Sequence, residues 1–162
     1  MCIRDRVIWA MIERGEKQWP PEFSDKANQL RLSRHEILTL ASIIQKEAFH
    51  PDEMPKISSV LHNRLEQGMK LQTKSSLIYG IQDYNGELKE EDYTSPTPYN
   101  TFTNFGLPPG PICNPGQAAV QAALFPEESS YLFYVDDKMQ NHIFVNTQSE
   151  YNQVLQQLDA NK

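Results

Sequence analysis

The feature that most restricts how this chain can fold is residues 33–48, an apolar run entered through a helix-start signal. Ser33-Arg34-His35-Glu36 has the form of a capping box, in which the Ser33 hydroxyl and the Glu36 carboxylate each satisfy a backbone donor of the first turn. The run stops ahead of Pro51, which cannot continue a helix. At 100° per residue Ile37, Leu40, Ala41, Ile44 and Ala48 fall on one apolar arc, so other elements must cover this helix. Lys46, Thr39 and Ser42 fall on a polar face. Glu47 projects between Leu40 and Ile43 at the edge of the arc, where Lys46 cannot neutralise it by direct contact.

The rest of the chain supplies the cover. Residues 52–67 read as a second amphipathic helix with Ile57, Val60, Leu61 and Leu65 on one stripe and Gly68 as a left-handed stop. Residues 71–80 hold one further helical turn. Residues 84–115 are rich in Pro, Gly, Asn and Thr, and so long a stretch without periodicity is functional or disordered. Its aromatics, Tyr93, Tyr99, Phe102 and Phe105, favour function. Asn114-Pro115-Gly116-Gln117 then starts a helix over 118–125, with Asn114 as the cap. Residues 131–135 and 142–146 form a hairpin, and Thr147-Gln148-Ser149-Glu150 caps a last helix carrying Tyr151, Val154, Leu155 and Leu158. Near the start, residues 7–14 make a short helix ending at Gly15, and Trp19-Pro20-Pro21 breaks any helix beyond it. The fold class expected is α+β, mostly helical, with a small antiparallel β-hairpin and a long Pro/Gly-rich loop.

Composition narrows the function. A chain of 162 residues suits one domain that buries roughly 70% of its unfolded surface. A formal net charge of -6 argues against a nucleic-acid partner, which needs a basic face. Cys2 and Cys113 are not expected to pair, and His35, His50, His62 and His142 lack zinc-ligand spacing, so neither a metal nor another cofactor is expected. No apolar run approaches the ~20 residues of a membrane span. Two readings of Glu47 stay open. In one, partial withdrawal from water disfavours its charged form and keeps a proton available, as a general acid requires. In the other it reaches solvent or pairs with Arg64.

Several segments together carry a resemblance: Leu40-Ala41-Ser42-Ile43-Ile44-Gln45-Lys46-Glu47, Val60-Leu61-His62-Asn63-Arg64-Leu65, Gly68-Met69-Lys70-Leu71-Gln72-Thr73, Tyr99-Asn100-Thr101-Phe102, Gly106-Leu107-Pro108-Pro109-Gly110-Pro111-Ile112 and Asn114-Pro115-Gly116. Read in this order they resemble the endolytic murein transglycosylase family, also called YceG-like, from about Leu38 to the C-terminus. The resemblance implies a lysozyme-like catalytic domain with Glu47 as its catalytic acid. Gln72, Tyr99, Asn100 and Thr101 are carried over as glycan contacts, and Asn63, Asn114 and His142 also match. For Asn100, Thr101 and Asn114, turn capping is an equal alternative. Three departures stand out. Lys74-Ser75-Ser76 replaces the family's usual Asp-Pro-Thr, Gln45 stands where an acidic residue is common, and Tyr151 stands where His is common.

The family also implies an N-terminal transmembrane anchor and a LysM-like subdomain, with the catalytic part facing the periplasm or cell exterior. Met1-Cys2-Ile3-Arg4-Asp5-Arg6 itself reads as a translated adapter stub joined to a chain already in progress; with the resemblance, residues 7–32 are expected to be the tail of a missing upstream region and residues 33–162 the catalytic domain. The reaction implied is non-hydrolytic cleavage between N-acetylmuramic acid and N-acetylglucosamine, leaving 1,6-anhydro ends and terminating or trimming nascent strands. Peptidoglycan glycan strands are the implied partner, with cell-wall synthases beside them. The rivals are a hydrolytic lysozyme-like muramidase, using Asp83 or Asp92 as a second carboxylate, and a non-catalytic peptidoglycan-binding or scaffold module.

Overall fold

The computed structural model describes residues 2–137 and 139–160; Met1 of the expected stub lies outside them. In order, the elements are α1 (Ile3–Lys17), α2 (Pro21–Gln29), α3 (Arg34–Glu47), α4 (Met54–Glu66), α5 (Lys74–Gly80), α6 (Gln117–Leu124), β1 (Phe133–Asp136), β2 (His142–Val145) and α7 (Gln148–Ala160). The class is α+β as expected, with one two-stranded antiparallel sheet among the described residues.

The capping box at the start of α3 is formed. The Glu36 N–H donates to Ser33 Oγ at 3.2 Å, and the Ser33 N–H donates to Glu36 Oε2 at 2.8 Å. The helix is the centre of the core, packed chiefly on α6 and also on α2, α4 and α5. Its expected polar face is a correction: Thr39 and Ser42 are buried along with the apolar arc. They tolerate burial because their hydroxyls are spent locally. Thr39 donates to the His35 carbonyl, and Ser42 donates to the Thr39 carbonyl while accepting from the Ile112 N–H at 2.9 Å. Lys46 alone of that trio is exposed.

Gly68 closes α4 at φ +65°, with the Met69 N–H on the Arg64 carbonyl and the Gly68 N–H on the Leu65 carbonyl, the two bonds of a left-handed cap. Residues 51–53 form a 3-10 turn instead of opening α4. Four other expectations shift. Helix α1 runs through Gly15, since a lone glycine costs a helix only about 1 kcal/mol. Pro21 does not break the chain but takes the first turn of α2, which buries Phe23 and Ala27. Helix α5 has 7 residues, more than the single turn expected. Helix α6 is entered through Gly116, so Asn114, exposed two residues earlier, is not its cap. The Gly116 N–H is held instead by Gln45 Oε1 at 3.1 Å.

The hairpin register pairs Phe133 with Val145 and Tyr134 with Phe144. Period-2 alternation therefore buries Phe133 and Val135 on one face and turns Tyr134, Phe144 and His142 to the other. Helix α7 backs the first face, with Tyr151 5.4 Å from Phe133 between ring centroids. Its cap is as expected, with the Glu150 N–H on Thr147 Oγ1 and the Thr147 N–H on Glu150 Oε2.

Between α4 and α6, buried His62 donates from Nε2 to the Ala123 carbonyl at 2.9 Å. Burial lowers its pKa below the ordinary value, with that hydrogen bond and the charge of Glu66 opposing. Below about pH 6.5 the unfolded chain takes up a proton that folded His62 refuses, so stability is full above that pH and falls as pH drops toward the folded value. Urea unfolding at stepped pH should show this decline, and His62→Gln, which keeps a neutral donor, should flatten it between about pH 7 and 5.5. Parallel curves for the two proteins would refute the assignment.

Candidate active site

Glu47 is the last residue of α3, and the backbone turns extended at Ala48. Its side chain therefore leaves the helix where three elements meet. Oε1 accepts from the Ser75 N–H of α5 at 3.0 Å, and Oε2 accepts from the Tyr134 hydroxyl of β1 at 2.8 Å. Ser75 lies in the first turn of α5, where N–H groups have no partner within the helix and favour an anion. Tyr134 is a durable donor. Burial first, then the charge of Glu47 and the hydrogen bond to it, push the phenol pKa well above its ordinary value, while Arg64 pulls the other way.

Glu47 is half-buried, and the reading in which it pairs with Arg64 is not realised. The buried Arg64 guanidinium is engaged by carbonyls: Nε donates to Leu132 at 2.6 Å, and Nη1 to Lys70 at 3.1 Å and Leu71 at 2.8 Å. It also covers the Phe133 ring at 4.9 Å. Arg64 thus ties the segment before α5 to the strand that carries Tyr134, fixing both donors of Glu47 relative to each other.

The sequence-derived contacts divide into two groups. Gln72 is exposed, holds a left-handed φ of +54°, receives Arg64 Nη1 on Oε1 at 3.3 Å and donates its N–H to the Thr101 carbonyl at 3.1 Å. It stands three residues before Ser75, whose N–H is on Glu47. Tyr99 is half-buried against the exposed ring of Tyr79, 4.8 Å away, and its hydroxyl lies near Gly110 and the His35 ring, toward the other end of α3 from Glu47. His142 reaches the site through Tyr134, ring edge to ring face at 5.1 Å.

The other group is structural. Asn100 is 0% exposed; its Nδ2 donates to the Tyr93 and Ser95 carbonyls and its Oδ1 accepts from the Phe102 N–H. Thr101 is buried, with Oγ1 accepting from the Thr73 N–H at 2.9 Å and sharing a hydrogen bond with Ser76. Asn63 Nδ2 is spent on the Ser129 and Tyr131 carbonyls. The turn-capping alternative fits Asn100, whereas Thr101 Oγ1 joins its segment to Thr73 and Ser76 across the fold. Asn114 is exposed ahead of α6, and the groups that hold Glu47 are Ser75 and Tyr134.

Sequence reasoning missed Ser75, Tyr134 and the Glu53 carboxylate that holds His142 through its backbone N–H at 2.7 Å and Nδ1 at 3.0 Å. Tyr134 was legible in principle, since the alternation that buries Phe133 and Val135 sends it to the opposite face. A hollow of about 620 Å³ is lined by Ser33, His35, Glu36 and Leu107 among others. It lies at the start of α3, and a helix of 14 residues puts that end about 20 Å from Glu47. Volume and chemistry therefore do not coincide, and we place the site at the acid. Among the described residues no group of three or more His, Cys, Asp or Glu is arranged to hold a metal ion.

Replacing Asn100 by Ala leaves two carbonyls and an N–H of the 93–102 segment without partners, which should cost about 2–4 kcal/mol. Chemical denaturation measures it. Unchanged stability combined with weakened glycan binding would instead make Asn100 a ligand contact.

Comparison with known proteins gives this geometry a setting. The family model described as the YceG-like family matches residues 3–157. The chain is 32% identical over 156 residues to an endolytic murein transglycosylase of Bacillus subtilis, a match covering 96% of this chain and 43% of that protein. It is 29% identical over 145 residues to one from Streptococcus pneumoniae, covering 86% and 26%. The crystal structure of a yceG-like protein from Listeria monocytogenes superposes with a TM-score of 0.81 at 35% identity, covering 91% of this chain and 47% of the other. The chain thus spans less than half the length of these relatives. Because the family match takes in α1 through most of α7 and the Bacillus relative aligns along nearly the whole chain, this protein belongs to the YceG-like family.

Proposed function

We propose that this chain is the cutting part of an endolytic peptidoglycan lytic transglycosylase, with Glu47 as its single catalytic acid and base. The observation that carries the reading is the setting of Glu47: a half-buried carboxylate gripped on one oxygen by the Ser75 N–H and on the other by a phenol that burial keeps protonated. Its relatives named endolytic murein transglycosylases support the reaction class.

In this mechanism Glu47 gives its proton to the glycosidic oxygen between N-acetylmuramic acid and N-acetylglucosamine as the C1–O bond breaks. The carboxylate then takes the proton of the muramic C6 hydroxyl while that oxygen bonds to C1, closing a 1,6-anhydro ring and restoring the acid. Both donors strengthen as negative charge develops on Glu47, so they stabilise the step in which the proton leaves. The nucleophile belongs to the substrate, and no partner carboxylate is needed.

The hydrolytic alternative needs a second carboxylate flanking the bond. Its candidates, Asp83 and Asp92, line a separate hollow of about 70 Å³ whose lining does not include Glu47, and Asp92 Oδ2 is occupied by the Lys89 N–H at 2.7 Å. Glu53, buried, spends both oxygens on His142. On the same reading the substrate is the glycan strand of peptidoglycan, the partners are cell-wall synthases, and residues 33–162 form the cutting domain. It faces the periplasm or cell exterior on a membrane anchor outside this sequence. No helix among the described residues is long and apolar enough to cross a membrane.

Mass spectrometry of digested peptidoglycan tests the mechanism. Anhydro-muramic ends should appear with the wild-type chain and fall by about 10²-fold or more with Glu47→Gln. Undiminished cleavage by Glu47→Gln would remove catalysis by this residue, and reducing ends without anhydro ends would replace lysis by hydrolysis. Tyr134→Phe, which deletes one donor, should lower kcat roughly tenfold with KM little changed. A kcat equal to wild type would leave Tyr134 a packing residue only.

A further inference from the structure

Two residues past Glu47, Phe49 leaves 43% of its surface exposed. The backbone is extended at Ala48, so its Cα lies within about 7 Å of the Glu47 Cα. One side of the phenyl ring is backed by His142, stacked nearly parallel at 4.8 Å and 18°. That imidazole is itself fixed. The His142 Nδ1–H donates to Glu53 Oε2, the His142 N–H donates to Glu53 Oε1, and the ring edge meets Tyr134, whose hydroxyl is on Glu47. The Glu53 and His142 side chains are 11% and 5% exposed. A buried carboxylate and a buried imidazole are thus committed to backing a ring that remains open to solvent.

That arrangement is costly for folding alone, because a free aromatic face gains nothing from being held still, whereas fixing it in advance lowers the entropy lost when a ligand stacks on it. The ligand class follows from position and chemistry. A β-1,4-linked pyranose presents a face of C–H groups that packs on an aromatic ring, and the uncharged phenyl surface suits a neutral N-acetylated sugar better than a charged peptide stem. We propose that Phe49 is a stacking platform for the sugar next to the bond that Glu47 protonates, with Glu53 and His142 as the positioning pair behind it. This rests on reading Glu47 as a glycan-cutting acid.

The test uses the whole chain carrying Glu47→Gln, which should bind without cutting, titrated calorimetrically with peptide-free glycan strands. Adding Phe49→Ala should weaken binding about fivefold to tenfold, while Phe49→Trp keeps it and Phe49→Leu, apolar without a ring face, loses it. In the active chain Phe49→Ala should raise KM by a similar factor and leave kcat nearly unchanged. Equal affinity for the Ala and Phe forms, or Leu binding as well as Trp, would overturn the proposal while leaving Glu47's role intact. If the Glu47→Gln chain binds no glycan, or still cuts, the underlying reading fails and takes this one with it. An unchanged melting temperature for each Phe49 variant certifies the comparison; if Phe49→Ala melts early, Phe49→Leu, which keeps the apolar bulk, carries the test, and its binding as tightly as the Phe form overturns the proposal.

Discussion

The structure turns on one carboxylate held at the end of a buried helix. Glu47 cannot move freely, because its two oxygens are claimed by groups from different elements, an amide of α5 and a phenol of β1. Helix α3 in turn cannot shift, being covered by α2, α4, α5 and α6. A charge-bearing side chain in such a place needs donors with fixed directions, and the rest of the molecule is largely occupied with fixing them.

Arg64 shows how. A buried guanidinium without a carboxylate partner would be unfavourable if its donors went unmet. Here carbonyls of Leu132, Lys70 and Leu71 meet them, and those carbonyls belong to the two segments that lead into β1 and α5. The Thr73, Ser76 and Thr101 hydroxyls do the same work on the other side, joining α5 to the long 84–115 segment by mutual hydrogen bonds. Asn100 then holds that segment's own turn through three backbone groups. The long segment is ordered by buried polar side chains, not by periodic structure.

Such long-distance bracing explains what was legible in the sequence and what was not. The α3 cap, the left-handed stop at Gly68, the hairpin and the cap of α7 rest on short-range rules, and all could be read from neighbours in the chain. Glu47 was singled out by helical phase and by family resemblance. What could not be read depends on contacts across the fold: Ser75 meets Glu47 from 28 positions away and Tyr134 from 87. Asn100 and Thr101 were found by motif with ligand contact and turn capping equally open, since a motif marks a residue as needed without saying which way its side chain points. The buried side of α3 was misread for a related reason, as Thr39 and Ser42 look polar in composition while their hydroxyls are satisfied within one helical turn.

The departure at Lys74-Ser75-Ser76 takes on a physical meaning in this setting. The resemblance read from the sequence implies proline at the position of Ser75, and proline has no N–H to donate. In this chain that position supplies the amide that holds Glu47 Oε1 at 3.0 Å. The α5 start tolerates either residue, because a first-turn N–H has no partner inside its helix and its loss breaks no ladder. Serine at this position therefore adds a donor to the acid without taking one from the helix ladder. A chain with proline there would have to hold that oxygen by other means, and here the Ser75 amide and the Tyr134 phenol act as a pair.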